Sequence, residues 1–369
     1  MVKTAAERSN IGLRKPTPTV EKASLTMTDS TYQDLAHSLR AANRARAWPV
    51  FLVVVGLASV LPFAAIPFAQ HVIPGTSSAL NILTALVFIG ANFHVAATSW
   101  FYTDKPMRDF FRANPVRYLI VPSILIAGGA ALFYFIAPVL RGYLLIGFFC
   151  WQLWHYQKQN LGLLSFVAAG TDRVPLSIWE RRTLALSAAA GILGFFKLYS
   201  VGLPGLSAEF AWLHAIGAGL YFLSPLAFCM AMFKSPSLRA NRLRLACLAL
   251  GTLFFLPTFL FSDWISATLS YAVAHGLQYL VFMGFVAVGR PNPIASLVML
   301  LGLGTLGGLA LNAAILAPDW SGFAYGHAVY GAFLGAVMTH FVLDAGLWRL
   351  REPFQRRYMR DRFSFVFDR

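Results

Sequence analysis

The sequence predicts an all-α protein, a polytopic transmembrane helical bundle of about ten membrane-spanning helices with both termini cytoplasmic. Three observations carry that prediction. Of 369 residues, 57% are hydrophobic and only 12% are charged, against about 25% charged in an ordinary soluble domain; mean hydropathy is +0.61. The apolar residues fall in runs near the roughly 20 residues that cross a hydrocarbon core. The basic residues collect between those runs, on alternate sides.

Residues 1–47 hold eight Lys and Arg and no apolar run. They read as a disordered, basic cytoplasmic tail in which Tyr32–Arg46 can lie as a short helix on the membrane surface. The first apolar run starts too late and is too long for a signal peptide. Spans follow near 48–70, 78–101, 117–138, 142–168, 184–200, 210–233, 245–261, 264–287, 294–316 and 321–347. Residues 48–350 are thus the transmembrane helical domain and 351–369 a basic cytoplasmic segment. Pro74-Gly75, Pro204-Gly205, Arg290-Pro291-Asn292-Pro293 and Pro318 punctuate the chain with tight turns.

The charges test the count. With ten crossings the inner segments are the tail, 102–117, 170–183, 234–244, 288–293 and the C-terminus. They hold 8, 4, 3, 4, 1 and 7 Lys and Arg, all of the 30 except Arg141, Lys158 and Lys197. Every inner segment obeys the positive-inside rule, whereas eight or nine crossings would put basic loops outside. The net charge of +15 therefore points to cytoplasmic loops of an inner, plasma-type membrane facing anionic lipid, and not to nucleic acid. Cys150, Cys229 and Cys247 lie in apolar segments without CxxC spacing, which gives neither a disulfide framework nor a zinc knuckle.

The functional signal is polarity inside the spans. Gly142–Ala169 has apolar flanks around Trp154-His155-Tyr156-Gln157-Lys158-Gln159-Asn160. Polar groups at membrane depth are costly and persist where they face protein, a metal, water or a substrate. Helical periodicity puts His155, Lys158, Gln159 and Gly162 on one face, expected to point inward. Of the eight histidines, His37 in the tail and His71 in an outer loop are expected to be solvated. The other six, His94, His155, His214, His275, His327 and His340, lie within predicted spans. At about 1.5 Å per residue, His94, His155, His275 and His340 share a slab about 10 Å thick in the cytoplasmic half. His327 lies about 20 Å further along the helix of His340, and His214 begins its helix near the outer face, so neither joins them.

A lone histidine in a span is more often a hydrogen-bonding structural residue than a ligand. Four at one depth, with Asp344 one turn after His340, are harder to read that way. His94, His155, His275, His340 and Asp344 are the candidate metal ligands. Neutral imidazole suits iron, copper and zinc, and the carboxylate can ligate or can orient an imidazole. Tyr156, Lys158 and Tyr279 are the candidate catalytic groups. Gln159, Asn160, Tyr271, Gln278 and Asp104 are the candidate lining of a substrate pocket. Lys158 at this depth requires a partner such as Asp104, Asp344, a backbone carbonyl or a substrate head group, unless it snorkels. Trp348–Tyr358 reads as an interfacial basic anchor for anionic lipid; the sharper reading has Arg349 holding Asp344.

Three functions fit. One is an oxygen-dependent metalloenzyme, with non-heme iron or another transition metal, acting on a hydrophobic, membrane-soluble, lipid-like or isoprenoid substrate. One is a proton- or cation-coupled transporter, which needs a polar path through both membrane halves; here the polar groups concentrate in the inner half. One is a heme- or quinone-binding electron-transfer protein. The chain shows no soluble redox domain or cofactor fingerprint, so a reaction that consumes electrons would need a separate electron donor. The arrangement of His94, His155, His275 and His340, with Asp344 beside the last, resembles histidine-rich integral membrane non-heme iron enzymes, and among them the Brp/Blh-type carotenoid-cleaving membrane proteins. The resemblance runs loosely over residues 80–350. It implies a multi-span helical fold, non-heme iron on those histidines and an isoprenoid substrate. The HxxxH and HxxHH boxes of membrane fatty-acid desaturases and hydroxylases are absent from the sequence.

Overall fold

Helix is the only regular structure among the described residues of the computed structural model, which are 49–66, 68, 85–86, 88–199, 207–261, 264–319 and 324–367. All of them belong to one compact unit, Arg44–Arg369. The predicted tail, His37 and His71 lie outside the described residues. In chain order the main helices are α1 (Pro49–Ile66), α2 (Val116–Phe135), α3 (Pro138–Gly170), α4 (Ile178–Tyr199), α5 (Ser207–Lys234), α6 (Arg242–Leu260), α7 (Trp264–Val288), α8 (Pro293–Leu316), α9 (Gly326–Leu347) and α10 (Pro353–Arg362).

Among the described residues, seven helices (α1, α2 and α5 to α9) are long and apolar enough to cross a membrane. Helices α3, of 33 residues, and α4, of 22, match two further predicted spans in position. The polar centre of α3 and the Glu180-Arg181-Arg182 start of α4 lower their hydropathy. The predicted span 78–101 is described almost only from Phe88 onward, where it is irregular. A π turn, Phe88–Phe93, runs into one α turn, His94–Ala97, and then a 3-10 stretch, Thr98–Thr103.

Local chemistry sets the ends of these helices. Pro138, Pro293 and Pro353 occupy first-turn positions, where a missing N–H costs nothing. Asn292 and Asn241 cap α8 and α6, accepting from Ala295 N at 3.1 Å and Arg244 N at 3.1 Å. Ser177 and Glu180 form a reciprocal box at the start of α4: Ser177 N donates to Glu180 Oε2 at 2.7 Å and Glu180 N to Ser177 Oγ at 3.3 Å. Pro257 interrupts α6 with a turn at residues 254–256, because its ring excludes the carbonyl one helical turn before it. Helices α2 and α9 meet where Gly129 faces Gly331; a Cβ on either would overlap the other's carbonyl oxygen. Such close backbone approach is how apolar helices gain dispersion contacts in lipid.

The charged residues form two networks in segments that the charge pattern assigns to the inner side. Arg244 is fully buried and donates to Glu180 (Nε–Oε1 2.7 Å, Nη2–Oε2 2.8 Å), to Asp172 (Nη1–Oδ2 2.8 Å) and to the carbonyls of Val174 and Pro175. The other network is centred on Asp104. Arg290 Nε and Tyr358 OH each donate to its carboxylate at 2.8 Å, and Arg362 Nη2 lies 3.6 Å away. Burial and the Asp104 carboxylate push the Tyr358 phenol above its ordinary value. Through this contact the C-terminal segment packs into the unit: Phe363 is fully buried, with ring centroids 5.0 Å from Phe166 and 6.1 Å from Phe51.

Removing one partner of a buried ion pair strands the other charge. Glu180→Ala should destabilise the protein by about 3–5 kcal/mol, read as denaturant unfolding in detergent. The double replacement Glu180→Met with Arg244→Met should cost less than Glu180→Ala alone.

Candidate metal centre

Four separate segments each deliver one imidazole to a common point. His94 comes from the α turn after the π turn, His155 from the middle of α3, His275 from α7 and His340 from α9; all four are buried. Their ring centroids mark a four-sided figure. His94–His275 is 4.9 Å, His275–His155 is 4.8 Å, His155–His340 is 5.2 Å and His340–His94 is 4.9 Å, with the rings steeply inclined at 73–81°. The diagonal His275–His340 is 6.0 Å. Ligand atoms of His94, His275 and His340 lie within 4.8 Å of one another, as do those of His155, His340 and Asp344.

Close glycine packing makes the approach possible. A Cβ on Gly276, the residue after His275, would overlap the Gly90 carbonyl oxygen, and one on Gly90 would overlap the Val273 backbone. The π turn thereby lies flat against α7, and His94 emerges beside His275. Asn92 Nδ2 donates to Asn312 Oδ1 of α8 at 3.2 Å and ties the same turn to a second helix.

Neighbours fix the rings. Thr98 Oγ1 hydrogen-bonds His340 Nδ1 at 2.7 Å and Tyr279 OH at 2.9 Å. Phe341 stacks on His155 at 4.3 Å, and Tyr156 lies over His275 at 4.5 Å. Trp348 Nε1 donates to Asp344 Oδ1 at 2.6 Å, while Asp344 Oδ2 lies 3.8 Å from His155 Nε2. Gln159 Nε2 donates to the His275 carbonyl at 2.9 Å and to Gln278 Oε1 at 2.8 Å, joining α3 to α7.

These contacts leave buried imidazole nitrogens over. Among the described residues, both nitrogens of His94 and of His275, and the Nε2 atoms of His155 and His340, have no hydrogen-bond partner. Each unmet buried polar atom costs about 1–3 kcal/mol, so six in one cluster are poor structural design for an apolar bundle. They fit a metal. An ion about 2.1 Å from each ligating nitrogen needs those nitrogens within about 4.2 Å of one another; the ligand atoms approach this in two triads that share His340, one of His94, His275 and His340 and one of His155, His340 and Asp344. The donor set of imidazoles and one carboxylate suits iron, copper or zinc.

The structure brings together His94, His155, His275, His340, Asp344, Tyr156 and Tyr279. Lys158 is elsewhere: it is exposed, with Nζ 5.0 Å from the Trp154 ring centroid. The buried face of α3 is centred on Leu153, Tyr156, Asn160 and Val167, with His155 on its flank. A step of three residues from His155 falls outside that face. The inward stripe expected through His155, Lys158 and Gly162 is corrected accordingly. Asp104 does not line a pocket here, because its oxygens are taken by Arg290 and Tyr358. Tyr271 is a packing residue: its hydroxyl bonds Thr258 Oγ1 at 2.5 Å, and its ring sits among Phe63, Phe254 and Phe255. Arg349 does not hold Asp344; it donates to the Ala345 carbonyl at 2.9 Å. Asn160 and Gln278 join Gln157 and Ser59 in an amide network beside a cleft. His214 bonds the Gly194 carbonyl at 2.8 Å. Sequence reasoning missed Thr98, Trp348 and Gln157. Thr98 stands one helical turn after His94 and Trp348 one turn after Asp344, a spacing that could have found both.

Comparison of the chain with protein-family models, curated proteins and solved structures finds no match in any of the three.

Thr98→Val removes the hydroxyl that orients His340 and Tyr279. Loss of such an orienting group typically weakens metal binding about 10–100-fold. Cobalt(II) titration followed by visible absorption should show that loss for Thr98→Val and near-normal affinity for Thr98→Ser.

Proposed function

We propose that this protein is an integral membrane, metal-dependent oxidoreductase, a non-heme iron oxygenase acting on a lipid-like or isoprenoid substrate. The observation that carries the reading is the set of six unpartnered imidazole nitrogens on four buried histidines, with Asp344 beside them. His94, His155, His275 and His340 would hold the metal, and Asp344 would ligate it or accept a hydrogen bond from His155. When bound, iron supplies oxygen activation. The chain's own residues supply the rest. Thr98 keeps His340 presenting Nε2. Phe341 and Tyr156 hold His155 and His275 in place. The apolar helices keep bulk water away, which strengthens electrostatic effects at the site. A dioxygenase would need no electrons beyond its substrate's; a monooxygenase would draw them from a separate donor.

The ring spacing supports a non-heme site over heme. Two axial imidazoles need an open plane between them for the macrocycle. Here the plane between His275 and His340 is flanked by His94 and His155, each about 5 Å from both. We also propose ten crossings with both termini cytoplasmic, in a plasma-type membrane. The seven apolar helices, α3, α4 and the span 78–101 that carries His94 would make the ten. The charge bias of the connecting segments supports that orientation.

Purified wild-type protein, handled to preserve labile iron, should carry near-stoichiometric iron without a Soret band, and His275→Ala should lose it. A Soret band would replace this reading with heme, and absence of metal from both samples would end it in favour of flux measurements. For topology, Cys150, Cys229 and Cys247 are first replaced by serine. An impermeant thiol reagent should then label Asp319→Cys in intact cells, and Ser237→Cys only after permeabilisation.

A further inference from the structure

A cleft of about 360 Å³ lies between α1 and α6. Most of its lining is aliphatic or aromatic, from residues such as Val55, Phe63, Leu250 and Phe254. Several lining residues are also exposed on the apolar surface, among them Val60 at 47%, Leu253 at 51% and Leu260 at 67%. Both walls are candidate membrane spans, so the mouth of the cleft faces lipid. Among the described residues, its lining contains no Lys, Arg, His, Asp or Glu.

Three buried polar side chains interrupt this apolar wall: Ser59, Asn160 and Gln278, exposed by only 6%, 6% and 2%. They form one polar spot. Gln278 Nε2 donates to Ser59 Oγ at 2.6 Å and lies 3.5 Å from Asn160 Oδ1. Ser59 Oγ in turn donates to the Val55 carbonyl. One Asn160 N–H is used by Gln157 at 3.0 Å, which leaves a second N–H and a weakly engaged carbonyl oxygen. Gln278 stands three residues after His275 on α7, about 4.5 Å along the helix axis. The cleft's polar spot is therefore one helical turn from the histidine cluster.

We infer that this cleft binds a neutral long-chain lipid carrying a single hydroxyl or carbonyl group. The chain lies along the apolar walls and the polar group meets the Asn160 amide, which Gln278, itself bonded to Ser59 and Gln159, holds in place. An amide both donates and accepts, so it serves an alcohol or a carbonyl. An ionised carboxylate or phosphate would surrender its hydration here with no counter-charge in reach. Fatty acids and phospholipids are thereby disfavoured. The inference rests on the proposed function for the purpose of the site, and its binding step is tested without turnover.

The test uses full-length protein in lipid nanodiscs, with a diazirine-bearing long-chain alcohol as the probe and peptide mapping as the readout. Label should concentrate on 49–66 and 242–260. Hexadecanol should displace it at least about tenfold more effectively than hexadecanoate. Leu250→Trp and Val60→Phe, which narrow opposite walls, should each reduce labelling there and leave labelling around the lipid-exposed Phe222 unchanged. Iron is measured in the same samples and reports that the variants are folded. Label spread in proportion to lipid exposure, equal displacement by the carboxylate, or labelling untouched in both narrowed variants with iron retained would each overturn the inference. Specific labelling of a protein that holds no metal would leave the cleft standing and remove the proposed function instead.

Discussion

The cost of an unpaired polar atom in an apolar interior governs this molecule. With 12% charged residues, the bundle has few ways to satisfy buried polar groups, and almost everywhere it does so with short, local bonds. Serines and threonines donate one turn back, as Ser59 does to Val55 and Thr252 to Leu248. Glutamines cross between helices, as Gln157 does to the Leu184 and Gly251 carbonyls. The histidine cluster departs from that economy. The irregular stretch before it and the glycine contact beside it exist at some expense in regular helix. They bring four rings to one point without pairing them with one another.

Helix content, the approximate positions of most spans and the depth shared by His94, His155, His275 and His340 were all legible in the sequence. They depend on hydropathy and on rise per residue, which are local properties. What it could not supply was azimuth. Lys158 and Gln159 are adjacent, yet one lies outside beside Trp154 and the other bonds the backbone of α7. That division depends on which neighbours surround α3, and no local pattern specifies them. Asp104 was misjudged for a related reason. Its partners Arg290, Tyr358 and Arg362 are remote in sequence, so it read as a residue of the substrate pocket. The π turn is a third case: Phe88–Phe93 reads as ordinary apolar helix until Gly276 is seen pressed against Gly90.

Ionic and apolar parts of the fold have separate duties. The Arg244 and Asp104 networks tie segments together in regions the charge pattern places at the inner surface, and Asp104 also anchors the C-terminal helix. Phe363 and its aromatic neighbours then seal the bundle between α1, α3 and α7. Among the described residues, Asp344 is the one carboxylate grouped with the imidazoles.

The π turn has a consequence for how this sequence can vary. A π turn holds one residue more than an α turn. Gly90 is fixed by its contact with α7, and His94 by its place in the cluster, so the four-residue interval between them is set from both ends. Deleting one residue would allow an ordinary helix, but would turn one anchor about 100° away from the other. The side chains in between, Asn92 bonded to Asn312 and Phe93 packed against Gly304, add contacts to α8, but it is their number that sets the register. A glycine four residues before a histidine, paired with a distant His-Gly dipeptide inside another apolar span, is therefore a pattern by which unrelated-looking chains with this site could be recognised.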